Sequence, residues 1–408
     1  MKRNVILIGA GAAGLTCAGF AAQRGLKVTV LDKNARPARK VLITGKGRCN
    51  VTNNCPPDDF IKNVRTNPRF LYSAIHAFSP DDAMALFEGL GVPLKTERGN
   101  RVFPISDKAM DIVDALVRFA KNEGARLVQQ ERVTAVLCQD GAVSGVKLES
   151  GETLPADAVV IATGGLSYPL TGSNGDGYRL AKTLGHTVVP QRPSLVPIVT
   201  AEPWCTDMMG LSLKNVTLTI KDGKNKVVFS ELGEMLFTHF GVSGPLVLSA
   251  SSYMTGEINN YRLTIDMKPG LDEHQLDARL LRDFDEYKNR DFGNSLDQLL
   301  PSKMIPVMVR LSGIPADTKV NSITREQRKQ LASLIKALPL TPKKFGPIEE
   351  AIITSGGVSV KEINPKTMES KLINGLFFAG EVIDVDAFTG GFNLQIAYST
   401  AYLAAQNV

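Results

Sequence analysis

The sequence predicts an α/β fold in which a parallel sheet begins at the N terminus, is completed by the C-terminal segment and is interrupted by a different domain. The first 32 residues read as strand 4–9, helix about 12–24 and strand 27–32, which is a parallel βαβ unit. The wholly apolar segment ADAVVIA predicts another buried strand. From residue 191 onward the chain is β-rich but has no βαβ pattern, which indicates the insertion.

The first loop carries the spacing of a dinucleotide-binding turn. In NVILIGAGAAG, Gly9 permits the tight turn, Gly11 lets the backbone approach a pyrophosphate, and Gly14 lets the helix pack close to the sheet. Ala13 lies in the same loop, at the positive end of the helix. The second strand, KVTVLD, ends in Asp32, which is placed to accept a hydrogen bond from a ribose 2′-hydroxyl.

Length and composition exclude several classes of protein. A chain of 408 residues with 43% hydrophobic and 22% charged residues predicts two or three folded domains, and its apolar runs are too short to span a membrane. The five cysteines are scattered and the four histidines isolated, so neither a disulfide framework nor a metal site is expected. The net charge of +6 suits anionic ligands, and spread over this length it gives no reason to expect nucleic acid. These features favour a cytoplasmic protein.

The domain boundaries follow from changes in pattern. Residues 1–190 and 346–408 are predicted to form one discontinuous domain, and residues 191–345 an inserted substrate domain. The insert is expected to carry a helical piece at about 270–310, which includes a charged helical block from 272 to 300, with further helical segments to about 337.

The segment 126–161 predicts an antiparallel meander, because β-rich stretches alternate with the turn signals QDGA and ESGE. It feeds the apolar strand that stops before Thr163 and Gly164. This order is typical of FAD-binding Rossmann domains. The glycine-rich stretch 163–180 that follows lacks the spacing of a second nucleotide fingerprint, and Asp176 is its predicted helix N-cap.

The loop RKVLITGKGRCNVTNN, residues 39–54, is rich in hydrogen-bond donors. Arg39, Lys40, Gly47, Arg48 and Asn50 can surround a polyphosphate or the carbonyl groups of a ring. A solvated basic surface loop is the alternative interpretation.

The segment GLFFAGEVIDVDAFTGGFNLQ predicts a strand that stops at Gly380 and Glu381, followed by a glycine turn that starts a helix at Asn393. The backbone amides of Asn393 and Leu394 could stabilise the negative charge that a reduced flavin carries at N1 and the C2 carbonyl. Glu381 could hydrogen-bond the ribityl hydroxyls. The alternative is a glycine-rich loop that only caps a helix.

Taken together, the blocks GAGAAG, RKVLITGKGRCNVTNN, LFTHFGVSGP and AGEVIDVDAFTGGFNLQIAYS resemble the bacterial FAD-binding oxidoreductases that include aminoacetone oxidase and dehydro-bile-acid reductase. The resemblance implies a discontinuous FAD domain of the two-dinucleotide type, with a β-barrel-like insert that carries a small helical subdomain. It also implies that Val133 contacts adenine through its backbone. With the glycine turns above, the candidate FAD-binding residues are Gly9, Gly11, Ala13, Gly14, Asp32, Lys33, Arg39, Lys40, Gly47, Arg48, Val133, Thr163, Gly164, Gly380, Glu381, Asn393 and Leu394.

The leading functional hypothesis is an FAD enzyme that moves a hydride between a small organic substrate and the flavin. Two reactions remain open: reduction of an activated C=C bond with NAD(P)H as donor, and oxidation of an amine with release of hydrogen peroxide. Tyr168, His239, Arg48 and Asn50 are the candidate catalytic residues, and Tyr168 or His239 is the candidate proton donor. Each of these two residues also has a structural explanation. Tyr168, beside Pro169, could only shape its loop, and His239 could only bond to the backbone.

Two alternatives lie outside this class: a flavoprotein that modifies RNA and an FAD-binding sensor without catalysis. The expected partner is a small-molecule substrate, and neither nucleic acid nor a membrane is expected to bind. The sequence leaves the substrate and the oligomeric state undetermined.

Overall fold

The structure is a computed structural model that describes residues 2–408. The strands are β1 Asn4–Ile8, β2 Lys27–Asp32, β3 Thr52–Asn53, β4 Val64–Thr66, β5 Leu94–Glu97, β6 Arg101–Pro104, β7 Arg126–Gln129, β8 Val133–Gln139, β9 Ala142–Leu148, β10 Thr153–Pro155, β11 Ala158–Ile161, β12 Arg192–Ser194, β13 Ile198–Thr200, β14 Ser212–Lys221, β15 Val227–Thr238, β16 Gly241–Ser243, β17 Arg262–Asp266, β18 Leu338–Leu340, β19 Pro342–Phe345, β20 Ile353–Ser355, β21 Leu376–Phe378 and β22 Asp386–Ala387. The helices are α1 Ala12–Gln23, α2 Arg39–Ile43, α3 Pro57–Lys62, α4 Tyr72–Ala77, α5 Pro80–Gly89, α6 Ala109–Asn122, α7 Asp176–Thr183, α8 Pro245–Ser251, α9 Glu273–Glu286, α10 Ile305–Ser312, α11 Arg325–Lys336 and α12 Phe392–Asn407.

The chain divides into two compact units. The first comprises residues 1–194 and 348–408, and the second residues 195–347. The first unit is built on a five-stranded parallel sheet in the order β21-β11-β1-β2-β7, so the C-terminal segment supplies an edge strand to the N-terminal sheet.

The parallel sheet forms because its central strands are apolar on both faces. In β1 the four residues from Val5 to Ile8 are buried, and β11 is buried throughout, as expected for strands covered on both sides. Helix α1 packs against α6 and α12. Where α1 meets its neighbours, the ring of Phe20 makes edge contacts with Phe78, Phe119 and Tyr402.

The antiparallel meander comprises β8, β9 and β10. The first strand of the predicted meander differs, because β7 pairs in parallel with β2 and extends the five-stranded sheet instead. A second antiparallel sheet, in the order β3-β6-β5, places the hairpin of β5 and β6 beside β3.

The second unit is organised around a seven-stranded antiparallel sheet in the order β18-β17-β14-β15-β16-β13-β19. Its two edge strands, β18 and β19, are separated in sequence by Thr341 alone. Because one residue joins the two edges, the sheet must curve until they meet, which makes it barrel-like.

The helical part of this unit differs from the predicted extent. Helix α9 ends at Glu286, and the stretch 287–304 contains a short 3₁₀ turn, Phe292–Asn294, instead of the continuous block expected to 300. Helical structure then resumes in α10 and α11, and ends at Lys336. Across residues 2–408, no helix has the length and apolar character needed to cross a membrane.

Candidate cofactor-binding site

A cavity in the first unit lies at the carboxyl ends of the parallel strands. Its walls include Gly9 after β1, Asp32 at the end of β2, Ala162 after β11 and Ala379 after β21. In open α/β sheets this edge is the usual position of a ligand.

The opening turn, residues Gly9–Gly14, brings the N terminus of α1 to the cavity. Gly9 has φ +103°, and a Cβ on Gly14 would overlap the carbonyl oxygen of Gly9, so both positions require glycine. Gly11 has no atom within 4 Å of where its Cβ would be, and it lines the cavity. The first N–H groups of α1 have no partner within the helix. The turn therefore offers free amides and room for a pyrophosphate.

Asp32 is 8% exposed, and its carboxylate is held in place by backbone donors. Oδ2 accepts from the N–H of Ala10 at 2.6 Å, and Oδ1 accepts from the N–H of Asn34 at 2.7 Å. These bonds join β2 to the opening turn and fix the acid at the cavity wall, where Val133 also lies.

An ion cluster lies beside this end of the cavity. Asp176 accepts from Lys33 at 2.7 Å and from Arg132 at 2.9 Å. Burial alone would raise the pKa of Asp176, but the hydrogen bonds from Arg132 and Lys33 outweigh burial and lower it. The prediction that Asp176 is the N-cap of α7 is wrong: Gly175 is the N-cap, and Asp176 is the first helical residue, with its side chain turned to the two cations.

Lys40 and Glu381 form a second ion pair in the cavity wall, with Nζ and Oε2 2.7 Å apart. Lys40 also donates to Ser167 Oγ at 2.5 Å. Oε1 of Glu381 accepts from the backbone N–H of Thr354 at 2.9 Å. The pair thus links helix α2 to the 3₁₀ turn after β21, and neighbouring groups orient both charges.

The closing turn, Gly390 and Gly391, brings the N terminus of α12 to the same cavity. Both glycines have positive φ, and a Cβ on Gly391 would overlap the backbone of Thr52. Asn393 lines the cavity, but its side chain is engaged with the backbone of Ala387, at 2.9 Å to the N–H and 2.8 Å to the oxygen. Its contribution to a ligand is therefore the free backbone N–H at the helix start, as it is for Leu394.

Side-chain amides from β3 and its preceding loop hold the closing turn. With the Asn50 amide oriented to satisfy its neighbours, its oxygen accepts from the N–H of Gly391 at 3.0 Å and its nitrogen donates to the carbonyl of Thr52 at 3.0 Å. Asn53 Nδ2 donates to the carbonyls of Gly99 and Gly390, each at 3.0 Å. Asn50 therefore positions the helix start.

The cavity residues fit an FAD molecule. Thr163 lines the wall, and its Oγ1 is a buried polar atom without a hydrogen-bond partner among residues 2–408, as is expected where a polar ligand completes a site. Two helix N termini and one ribose-binding acid face the same space, which matches the two phosphates, the ribose and the electron-accepting ring of FAD. Asp32, the opening turn and the closing turn are the groups that would hold these three parts.

Most of the predicted FAD-binding residues line this cavity. They are Gly9, Gly11, Ala13, Asp32, Lys33, Arg39, Lys40, Val133, Thr163, Gly164, Gly380, Glu381, Asn393 and Leu394. Gly14 lies behind the wall, where its lack of a side chain permits close packing. Gly47 and Arg48 are outside the lining: the guanidinium of Arg48 is paired with Glu97 and Asp107.

The predicted catalytic residues are not gathered at the cavity wall. Tyr168 is absent from the lining and has φ +52°. Burial, with Glu350 nearby, raises the pKa of its hydroxyl. Asn50 is engaged with backbone groups, as described above. His239 belongs to the second unit and is exposed after β15. Their catalytic roles stay predictions.

The sequence reasoning missed several lining residues, among them Asn34, Thr44, Arg132, Ser173, Asp176, Ile352 and Ile353. Asn34 follows Asp32 and Lys33, and Thr44 lies within the loop 39–54, so closeness to these motifs could have identified both residues. Ile352 and Ile353 follow the inserted domain and belong to no motif, so only the fold brings them to the wall.

The fold and the cavity define an FAD-dependent oxidoreductase with a Rossmann domain. The model of the HI0933-like protein Rossmann domain matches residues 3–407, and the chain belongs to this family. It is 33% identical to the ribosomal RNA dihydrouridine synthase of Escherichia coli K12, over 99% of this chain and 98% of that protein. It is 28% identical to the 3-dehydro-bile acid delta(4,6)-reductase of Clostridium scindens, over 98% of this chain and 97% of that protein.

Solved structures share the fold at lower identity. A flavocytochrome c3 fumarate reductase superposes with a TM-score of 0.55 at 18% identity, covering 100% of this chain and 78% of that one. The 3-ketosteroid-Δ4-(5α)-dehydrogenase of Rhodococcus jostii RHA1 superposes with a TM-score of 0.52 at 14% identity, covering 99% of this chain and 96% of that one. The FAD-binding fold predicted from the sequence is confirmed.

Proposed function

We propose that this chain is an FAD-dependent reductase of C=C bonds conjugated to a carbonyl group, and that its substrate is a uracil base in ribosomal RNA. The observation that carries this proposal is the 33% identity to a ribosomal RNA dihydrouridine synthase, which extends over nearly the full length of both chains. A second protein of that name, from Haemophilus influenzae, is also 33% identical over 99% of this chain.

The chemistry of the relatives is consistent with one reaction class. Uracil has its C5=C6 bond conjugated to the C4 carbonyl, and forming dihydrouridine adds one hydride and one proton across that bond. The name of the bile-acid relative likewise describes reduction of C=C bonds in a 3-dehydro compound. Bound FAD, once reduced, supplies the hydride in such reactions.

The chain's own residues bind and orient. The opening turn and Asp32 hold the adenosine diphosphate part, and Lys40 with Glu381 fixes the wall between the two helix starts. The free N–H groups of Asn393 and Leu394 stabilise negative charge at the closing turn. This arrangement favours the reduced cofactor over the neutral oxidised form.

An amine oxidase is the second candidate. The chain is 24% identical over 65% of its length to the L-aspartate oxidase of Saccharolobus solfataricus, an enzyme whose name describes oxidation of an amino acid. The match covers a smaller part of both proteins and has lower identity, so the reductase is the favoured function. NAD(P)H as electron donor belongs to the reductase proposal.

Anaerobic mixing of the reduced holoprotein with substrate tests the proposal. Reduced protein should regain its absorbance at about 450 nm when mixed with a uridine-containing ribosomal RNA fragment, and the RNA should gain two hydrogens by mass spectrometry. The matched control is the same fragment with dihydrouridine at the target position, which should leave the flavin reduced. Failure of RNA to oxidise the flavin, with rapid reduction by an amine and release of hydrogen peroxide in air, would establish the oxidase instead. Bleaching of oxidised protein by NADPH identifies the donor.

A further inference from the structure

Positive charge is concentrated in two segments of the first unit. Residues 36–54 and 94–108 together contain nine Lys and Arg against two Asp and Glu, a net charge of +7, whereas the whole chain carries +6. The remainder of the chain is therefore close to neutral. We call the surface formed by these two segments the basic rim.

The two segments form one continuous surface. Strand β3 pairs with β6 through Thr52 with Val102 and Asn53 with Arg101. The backbone N–H of Asn54 donates to the carbonyl of Asn100 at 2.7 Å. The guanidinium of Arg48 also lies over the ring of Phe103, 4.1 Å from its centroid.

Most of the cations of the basic rim are available to a partner. Its two carboxylates, Glu97 and Asp107, are already paired with Arg48 and Lys95. No ion pair within residues 2–408 involves the other exposed cations, which are Arg36, Arg39, Lys46, Arg98, Arg101 and Lys108. Lys46 has φ +60° and lies between Gly45 and Gly47, which also have positive φ, so this part of the loop is not helical.

The basic rim adjoins the closing turn. Asn53 links the carbonyl of Gly99, at the tip of the β5–β6 hairpin, to the carbonyl of Gly390. Arg98 and Arg101 flank this tip in sequence. At the other side of the rim, Arg39 and Lys40 line the FAD cavity. An anion held by the rim therefore lies next to the end of the cavity where the closing turn would hold the flavin.

The FAD diphosphate does not account for this charge. The opening turn supplies amides for that diphosphate, and the exposed cations Lys46, Arg98, Arg101 and Lys108 are absent from the cavity wall. Outside the cavity wall the rim keeps five unpaired cations, namely Arg36, Lys46, Arg98, Arg101 and Lys108. They fit a ligand with several phosphates along its length, since each contact releases a counterion. Single-stranded RNA has this chemistry and can present an unstacked base beside its backbone.

We infer that the basic rim binds the phosphates of the RNA substrate and guides the target base to the closing turn. This inference rests on the proposed function, since RNA is the substrate there. The hairpin cations Arg98 and Arg101 are the part of the rim nearest the closing turn, and each contacts a phosphate on the nucleotides that flank the base.

The test is RNA binding by the FAD-loaded protein as a function of salt. The double variant R98Q/R101Q should bind a single-stranded ribosomal RNA fragment about tenfold more weakly. The negative slope of log K against log salt should become shallower by about 1.4, because each lost contact to a single strand contributes about 0.7 to its magnitude. The matched control K182Q/K366Q removes two exposed lysines outside the rim and should leave both values unchanged. Equal affinity and slope for R98Q/R101Q and the parent protein would overturn the inference.

Two further measurements separate this inference from the proposed function. Oxidation of the reduced flavin by free uridine, which has no phosphate, should be the same in R98Q/R101Q and the parent, and FAD content should be unchanged. If the parent binds RNA through the rim but no uracil is reduced, the inference about RNA binding is supported and the proposed reaction is wrong. If vesicles with anionic lipid bind through these arginines and RNA does not, the rim serves a membrane surface and the inference is wrong.

Discussion

The two helix starts that face the cavity are fixed in different ways. At the opening turn, the close contacts of the glycines are with backbone: Gly9 lies against the carbonyl of Ala162, and Gly14 lies against Gly9. One side chain, Asp32, adds a hydrogen bond from the N–H of Ala10. At the closing turn, the glycines permit the approach of Thr52, but asparagine side chains make the bonds that hold the turn, from Asn50 to Gly391 and from Asn53 to Gly390.

This difference determines how each turn can be altered. A backbone contact leaves no room for a side chain, so substitution of Gly9 or Gly14 disrupts packing. A side-chain hydrogen bond can be removed alone, so the closing turn can be displaced slightly without loss of the fold. We therefore expect the opening turn to govern folding and the closing turn to govern the properties of the bound flavin.

The largest expected effect is that of Gly14→Ala. Its Cβ would overlap the carbonyl oxygen of Gly9, so α1 must move from the sheet. We expect a loss of unfolding free energy of about 3 kcal/mol or more, measured by chemical denaturation of the FAD-free protein.

Gly11→Ala is the matched control, since its Cβ meets no atom within 4 Å and its φ of −81° suits alanine. It should fold normally and bind FAD on the order of tenfold more weakly, because the methyl group enters the space for the pyrophosphate. Equal stability of the two variants would contradict the proposed packing role of Gly14.

At the closing turn, Asn50→Ala removes the bonds to Gly391, Thr52 and Val102. Leaving these backbone groups unpaired should cost about 1–3 kcal/mol of stability and release the start of α12. Because that helix start stabilises the reduced flavin, the midpoint potential of bound FAD should fall.

Asn54→Ala is the control for this variant: Asn54 is exposed, in the same segment, and bonds Thr96 through its side chain at 3.2 Å. Its flavin potential should equal that of the parent. An Asn50→Ala variant with an unshifted potential would show that Asn50 is merely structural.

The same contrast explains which parts of the site the sequence could predict. The glycines of the opening turn lie within the eleven residues 4–14, and Asp32 ends the next strand, so the spacing in the sequence identifies all of them. The closing turn was predicted as a glycine loop, but the roles of Asn50 and Asn53 depend on β3 packing against a segment more than 330 residues away. No local pattern specifies that contact, and Asn50 was interpreted as a substrate-contacting residue.

The arrangement of charge depends on the fold in the same way. The sequence predicts that the net charge of +6 is spread over the chain and that the basic loop around Arg48 contacts FAD. The structure brings residues 94–108 beside residues 36–54 through the pairing of β3 with β6, and Glu97 and Asp107 neutralise Arg48. The unpaired cations of the rim, such as Lys46 and Arg98, are therefore neighbours of Arg48, the residue that the sequence motif indicates.

A smaller effect is expected for Asp32→Asn, which tests the one side chain that holds the opening turn. The carboxylate accepts from Ala10 on one oxygen and from Asn34 on the other. An amide would place its NH₂ group against one of these donors, at a cost of about 1–3 kcal/mol shared between stability and FAD affinity. Titration with FAD should show weaker binding with little change in flavin potential, the reverse of the Asn50→Ala result. A shifted flavin potential in Asp32→Asn would contradict the assignment of flavin properties to the closing turn alone.

The smallest expected effect concerns pH and lies outside both turns. His186 is buried, its Nε2 lies 2.8 Å from Ser370 Oγ, and its Nδ1 has no partner within residues 2–408. Burial lowers its pKa, and the nearby carboxylate of Glu362 opposes this only in part. The other three histidines are exposed.

Because folding lowers the pKa of His186, the unfolded chain binds more protons than the folded chain near the ordinary histidine pKa of about 6.5, so stability must fall as pH falls through that value. The loss is at most about 1.4 kcal/mol per pH unit for one proton. Denaturation at pH 8 and pH 5.5 should therefore show a smaller pH dependence for His186→Gln than for the parent, whereas the exposed control His274→Gln should retain the parent's dependence. Since neither turn contains a histidine, the Gly11→Ala and Asn50→Ala variants should show the same pH dependence as the parent, and a change in either would place a titrating group at that turn.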